Sequence, residues 1–322
     1  MLRRITLAAT VALFALGSAA QAQTVLKLAH PFPETDTMHQ LATDFAKAVE
    51  EKTSGALTVQ IFPAGQLGND QQMIDGVRTG VIDAALLGLN NYTGLVPKAG
   101  AIELPFIFPT RQDAFGALDG AAGDAIDAAM RPVGLKLLGF GDSGYRQVTN
   151  NRGPVRTPED MKGLRMRVNS SKVLNDMFNA LGANPQQIPV AELYSALETG
   201  VVDAQEQPLP VVLSFHFDDH QKYLSITNHA YGVQGFTMNV AKFDGLTAEQ
   251  QAAILAAADT AIAAQRERAE AAEADIISQL EANGMEVNRD VDTAAFQEAV
   301  KSVWDNYVTA NSDEMIKLIQ GQ

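Results

Sequence analysis

Thr79-Gly80-Val81-Ile82-Asp83-Ala84 recurs later in the chain as Thr199-Gly200-Val201-Val202-Asp203-Ala204. Each copy follows a stretch with helical character, 70–78 in the first case and 191–198 in the second. Each glycine falls where a helix C-terminus needs a left-handed residue, and the apolar run behind it reads as the start of a strand. A repeated helix–glycine–strand unit predicts two similar lobes.

The flanking sequence fits that reading. Val25–Ala29 is a short apolar strand candidate, and Leu57-Thr-Val-Gln-Ile61 alternates with the period of a strand. Between them, Leu41, Phe45, Ala48 and Val49 share one face of a helix over Met38–Lys52. Helix and strand alternate through the middle of the chain, which predicts an α/β fold with a mainly parallel sheet. The last third differs. Thr247 and Gln250 fit a capping box, Gly284 a stop, and the alanine-rich segment between predicts one helix roughly 50 Å long. That exceeds one lobe, so the helix is expected to span both. The alternative, a coiled-coil dimerisation helix, lacks a sustained Leu/Ile seam. A final amphipathic helix is expected over Ala294–Leu318, carrying the single tryptophan, Trp304.

The first residues read as an export signal. Arg3 and Arg4 precede an apolar run from Ile5 to Leu16, too short to span a bilayer comfortably, and Ala20-Gln21-Ala22 supplies a small-x-small cleavage pattern. The mature chain is expected to start near Gln23. A cut after Ala20 and an uncleaved anchor are the alternatives. Losing Arg3 and Arg4 takes the formal charge from −14 to −16. So acidic a chain is a poor partner for nucleic acid or an anionic membrane. The absence of cysteine excludes disulfides, thiol catalysis and cysteine metal sites.

Three motifs need weighing. Gly139-Phe-Gly141-Asp-Ser-Gly144 spells a dinucleotide fingerprint, but the chain continues as strand and turn, not as the helix that would face a pyrophosphate. These glycines are read as a crossing strand or hinge. His216, Asp218, Asp219 and His220 invite a metal reading, yet suit a solvated helix end better, and no metal is expected. No nucleophile elbow, P-loop or zinc-protease motif occurs, so the chain is not expected to be an enzyme.

The basic residues are more telling. Tyr145-Arg146 and Gly163-Leu-Arg-Met-Arg-Val168 stand out in so acidic a chain. Strand alternation puts Leu164, Met166 and Val168 on one side, Arg165 and Arg167 on the other. A guanidinium at a strand end offers a planar fork to a carboxylate. On this evidence a surface role for any one arginine stays open, and it suits Arg152, Arg156 and Arg165.

Assembled, these pieces resemble the solute-binding proteins of tripartite ATP-independent periplasmic (TRAP) transporters. The likeness runs through Phe62-Pro-Ala-Gly-Gln-Leu-Gly68, Gly80-Val-Ile-Asp83, Glu103-Leu-Pro-Phe106, Gly144-Tyr-Arg146, Thr157-Pro-Glu-Asp-Met-Lys-Gly-Leu-Arg-Met-Arg167 and Glu192-Leu-Tyr-Ser-Ala-Leu-Glu-Thr-Gly-Val-Val-Asp-Ala-Gln-Glu206. The resemblance implies a two-lobed periplasmic binding protein fold with crossing hinge strands and a long helix bracing both lobes. It implies a lobe division at 23–143 plus 233–273 and 144–232 plus 274–322, behind a signal peptide over 1–22. It also implies capture of a small organic carboxylate, a sugar acid such as a uronate or aldonate or a C4-dicarboxylate, by a monomer in the periplasm. The resemblance further implies delivery to a membrane permease, driven by an ion gradient, with no cofactor. Among residues, it implies Arg167 as the main carboxylate ligand, Arg146 as a second cleft arginine, and Glu206 and Gln207 beside them. Gln207 stands where asparagine is frequent, and Val190 where some members have an aromatic. Asn90 and Asn91 occupy the segment where amino-sugar binders carry an acid, which argues against an amino sugar and suits hydroxyl groups. An exported hydrolase or a ligand-sensing receptor are the alternatives.

Overall fold

The computed structural model describes residues 23–321, and the expected signal segment lies outside them. The first half of the chain runs β1 (Thr24–Ala29), α1 (Thr37–Lys52), β2 (Leu57–Phe62), α2 (Asp70–Thr79), β3 (Ala84–Gly88), α3 (Arg111–Leu118), α4 (Ala121–Met130) and β4 (Leu135–Asn150). There follow β5 (Arg165–Val168), α5 (Lys172–Ala180), β6 (Asn184–Gln187), α6 (Val190–Glu198), β7 (Ala204–Pro208), α7 (Leu209–Ser214), β8 (Tyr223–Ser225) and β9 (Tyr231–Asn239). The chain closes with α8 (Val240–Asp244), α9 (Ala248–Ala282), β10 (Glu286–Asn288), α10 (Thr293–Ala299), α11 (Lys301–Asn311) and α12 (Glu314–Ile319).

The repeated hexapeptide marks a repeated architecture. In one half β1 lies between β2 and β3, parallel to both; in the other β5 lies between β6 and β7, again parallel to both. Gly80 and Gly200 turn the chain out of α2 and α6 with φ of 78° and 69°, values that favour a residue without Cβ. The aspartates of the two copies do the same work. Asp83 accepts the backbone N–H of Lys27 at 2.8 Å, and Asp203 that of Arg165 at 2.9 Å. Each thereby ties the start of its own strand to the central one, within β1 at Lys27 and at the first residue of β5 at Arg165.

The sheet is not mainly parallel throughout. Its order is β2-β1-β3-β9-β4-β7-β5-β6, and the two long central strands run antiparallel to each other and to both flanks. Residues 135–145 of β4 pair with β9, and residues 146–150 pair with β7. One strand thus belongs to both halves, which is the crossing expected of the glycine-rich segment. Its register shifts at Asp142/Gly144, where Gly144 has φ of 84° and faces Gly232.

The long helix α9 starts on the Thr247/Gln250 capping box and runs 35 residues. Its first half buries Ile254, Ala257, Ala258 and Ala261, and Arg268 reaches Asp44 of α1 at 2.7 Å. Its last turns bury Ile276 and Leu280 in the same core as Val212 and Leu224. In between, the Gln265 side chain accepts from the Asp142 N–H at 2.9 Å and donates to its carbonyl at 2.7 Å, mimicking a strand partner. The expected last helix is three helices. It breaks at Val300 and again at Ser312, where φ is 68°; Trp304 then donates to the Pro105 carbonyl at 3.2 Å.

Candidate functional site

The C-terminal ends of β3 and β5 lie on the same side of their halves, where ligands of open α/β sheets collect. Here Asn90, Asn91, Arg146, Arg167 and Gln207 line one cavity, with Asp70, Asn169 and Gln234. It encloses about 420 Å³ of empty space, part of it open to solvent. Phe32, Val190, Val211 and Phe215 give it an apolar wall.

Arg167 is the largest of the fully buried side chains, 2% exposed. Its Nε donates to the Ile188 carbonyl at 2.9 Å, while Nη1 is buried and has no protein partner. Burial pushes its pKa down to about 10; Arg146 adds to this, and Glu206 and Asp70 oppose it. A buried cation with an unsatisfied donor is costly, and this one sits on a cavity wall. Arg146 is differently placed. Its Nε and Nη2 meet the Glu206 carboxylate at 2.5 and 2.8 Å, and Nη2 also donates to the Gln207 side-chain oxygen at 3.0 Å.

Glu206 therefore does not face the cavity as the sequence reading had it. It is fully buried behind Arg146. Burial works against its ionisation, but Arg146 and His229 more than offset that and hold the carboxyl down at about 2. His229 approaches it at 3.3 Å through Nε2 and meets Thr227 at 2.8 Å through Nδ1. Glu103 lies in the same buried group: burial raises its carboxyl to about 7, against the pull of Ser171 and Arg146.

Sequence reasoning missed Asp70, Asn169, Gln234, Glu103 and His229. A usable signal existed for one of them. Asn69 caps α2 and makes a capping box with Gln72, so Asp70 is the first helical residue after the Phe62–Gly68 loop. Its carboxylate borders the cavity beside Arg167 but forms no ion pair with it, and one oxygen is buried without a partner. Burial pushes it up to about 6, with Arg167 pulling down.

The histidine cluster has a structural account. His216 has φ of 58° and precedes a single 3-10 turn, so it does not share a helix face with His220. His220 packs edge-on against Tyr194, whose hydroxyl donates to Asp219 at 3.1 Å, and Asp218 accepts from Asn283 at 2.8 Å.

Two α/β halves joined by shared strands, with a buried unpaired guanidinium on a polar cleft, define a binding protein for an anionic solute. The model of the family described as bacterial extracellular solute-binding protein, family 7, matches residues 28–311. The chain is 41% identical over 300 residues to the 2,3-diketo-L-gulonate-binding periplasmic protein YiaO of Escherichia coli (strain K12), covering 93% of this chain and 92% of that one. Its fold superposes with a TM-score of 0.90 on a TRAP periplasmic solute binding protein from Polaromonas sp. JS666 bound to D-erythronate, at 32% identity, covering 92% and 98% of the two chains. The TM-score is also 0.90 for one from Sulfitobacter sp. NAS-14.1 with bound β-D-galacturonate, at 30% identity over 93% and 100%. The chain belongs to this family of TRAP solute-binding proteins.

Proposed function

We propose that this protein captures a small organic carboxylate in the cleft and hands it, chemically unchanged, to the membrane subunits of a TRAP permease for ion-gradient-driven uptake. It works as a monomer in the periplasm after losing residues 1–22, and needs no cofactor. Sugar acids such as uronates and aldonates, and C4-dicarboxylates, are the candidate ligands. The acids named for the relatives, 2,3-diketo-L-gulonate, D-erythronate and β-D-galacturonate, support the first group.

The observation that carries this reading is the Arg167 guanidinium, buried on the cavity wall with Nη1 unpartnered. A carboxylate satisfies both its charge and its free donor, in a bond of the charge-assisted kind. Ligand binding closes lobe 23–143 plus 233–273 on lobe 144–232 plus 274–322, with Arg146, Gln207, Asn90 and Asn91 contributing contacts. Glu206 acts through Arg146.

The test is a thermal-shift screen of ligand-free protein against sugar acids, dicarboxylates and keto acids. A true ligand at a hundredfold excess over its dissociation constant adds about 2.7 kcal/mol to stability. No shift across the whole panel rejects the reading. Recovery of the ligand unaltered after prolonged incubation separates capture from hydrolysis.

A further inference from the structure

We propose that Arg111 and Glu273, neither of which lines the cavity, set ligand affinity by clasping the hinge in its closed form. The inference rests on the lobe closure in the reading above and deepens it. Under that division the chain passes between lobes three times, at 143/144 in β4, at 232/233 in β9 and at 273/274 in α9. One buried guanidinium gathers all three passages. Arg111 opens α3, directly behind its capping residue Thr110. Its Nη1 meets the Asp142 carboxylate, and its Nη2 meets Glu273 Oε2 at 2.5 Å. Asp142 Oδ1 also accepts the Tyr231 hydroxyl at 2.6 Å and the Gly144 N–H at 2.7 Å. Thus α3 holds β4 and α9 directly, and β9 through Asp142.

The two arms of Arg111 differ. Asp142 is buried and its carboxylate takes three donors, so parting it from Arg111 would strand a buried charge. The Glu273 side chain is 42% exposed, on a stretch of α9, 270–275, in which no residue is buried. Before that stretch, Arg266 and Arg268 tie the helix to Asp119 and Asp44 at 2.5 and 2.7 Å. After it, Ile276 and Leu280 enter the core beside Leu224. The Glu273 arm is the one that yields when the helix bends between these anchors. In the structure the lobes meet across the cleft, with the Ser170 hydroxyl donating to Asn91 Oδ1 at 3.0 Å, so the arm is made in the closed arrangement. A contact made in the closed form and lost in the open one raises the closed fraction, and the apparent affinity with it. A partly exposed ion pair moves such an equilibrium about two- to fivefold.

The experiment follows D-galacturonate and D-erythronate binding by calorimetric titration and surface plasmon resonance, in the wild type, Glu273→Ala and Glu267→Ala. Glu267 is an exposed neighbour on α9, and alanine suits a helix at both positions. Glu273→Ala should bind about two- to fivefold less tightly, through a faster off-rate with the on-rate unchanged. Glu267→Ala should match the wild type. A purely structural role for Glu273 would lower the melting temperature and leave the off-rate alone. Wild-type affinity in Glu273→Ala, equal losses in the two variants, or a loss carried by the on-rate overturns the inference but leaves carboxylate capture standing. If the wild type binds neither acid, the comparison runs on the tightest ligand of the wider screen, and a screen without any ligand removes both readings. Circular dichroism confirms that the variants are folded, and Glu273→Gln, which also removes the charge, serves if the alanine variant is not.

Discussion

Arg165 and Arg167 stand two residues apart on β5, yet the first is exposed and paired with Asp203 at 3.1 Å while the second is buried with Nη1 unpartnered. They share a side of the strand but lie toward opposite ends of it. Arg165 opens the strand, beside the turn of the repeated hexapeptide. Arg167 lies near its C-terminal end, on the cleft.

This contrast sets up a paired substitution. Arg167→Lys keeps the charge but loses the planar two-donor fork. Truncating a buried charged partner costs about 2–5 kcal/mol, and lysine should cost on the order of 1–3 kcal/mol, as for one charged hydrogen bond. The expected loss of affinity is roughly five- to hundredfold, against little change for Arg165→Lys. Calorimetric titration of the two variants with the best acid from the screen decides it. Equal losses, or near-wild-type affinity for Arg167→Lys, assign the wrong arginine.

The hinge prediction concerns Gly144 and Gly232. They face each other where the β4–β9 register shifts, next to the point at which β4 exchanges β9 for β7. A Cβ on Gly232 would lie 2.7 Å from Pro208 Cγ and 2.9 Å from the Gly144 carbonyl oxygen. Gly232→Ala should therefore lower stability by about 1–3 kcal/mol, the usual range for overpacking, visible as a lower melting temperature. In the wild type, ligand should reduce the radius of gyration measured by small-angle scattering. An unchanged radius at saturation would falsify closure about these strands.

Glu103 should make stability depend on pH in a definite direction. Its folded pKa, about 7, lies above the ordinary 4.5, so its contribution is fully present below about pH 4.5. It is lost as pH rises through 7, because the buried carboxyl must then ionise beside Glu206. Glu103→Gln removes the titration. The stability of the wild type relative to the variant should fall by on the order of 3 kcal/mol between these limits. Denaturation curves of both proteins at pH 5 and pH 8 test this; a gap that stays constant or widens in favour of the wild type refutes it.

Much of the architecture was legible because it is local. A glycine after a helix, an aspartate four residues beyond the threonine, and apolar alternation act within one turn or one strand. Thus the repeat, the capped start of α9 and the strand character of the segment around Gly144 all appear at the expected places. The last helix was misread because amphipathic spacing continues through Val300 and Ser312. The breaks at those residues set how α11 packs, with Val303 and Tyr307 buried.

The cleft is another matter. Strand alternation assigned Arg167 a side but not a depth. Depth comes from Ile188, Asp70 and Arg146, which reach it from other elements. The same holds for Glu206, which alternation cannot place behind Arg146, and for His229, which meets Glu206 only because β9 and β7 both flank β4. Backbone preferences and hydrophobic periodicity are properties of neighbours in sequence. The burial of a charge, its partner and its remaining free donor are properties of neighbours in space, and they exist only once the sheet has brought the distant strands together.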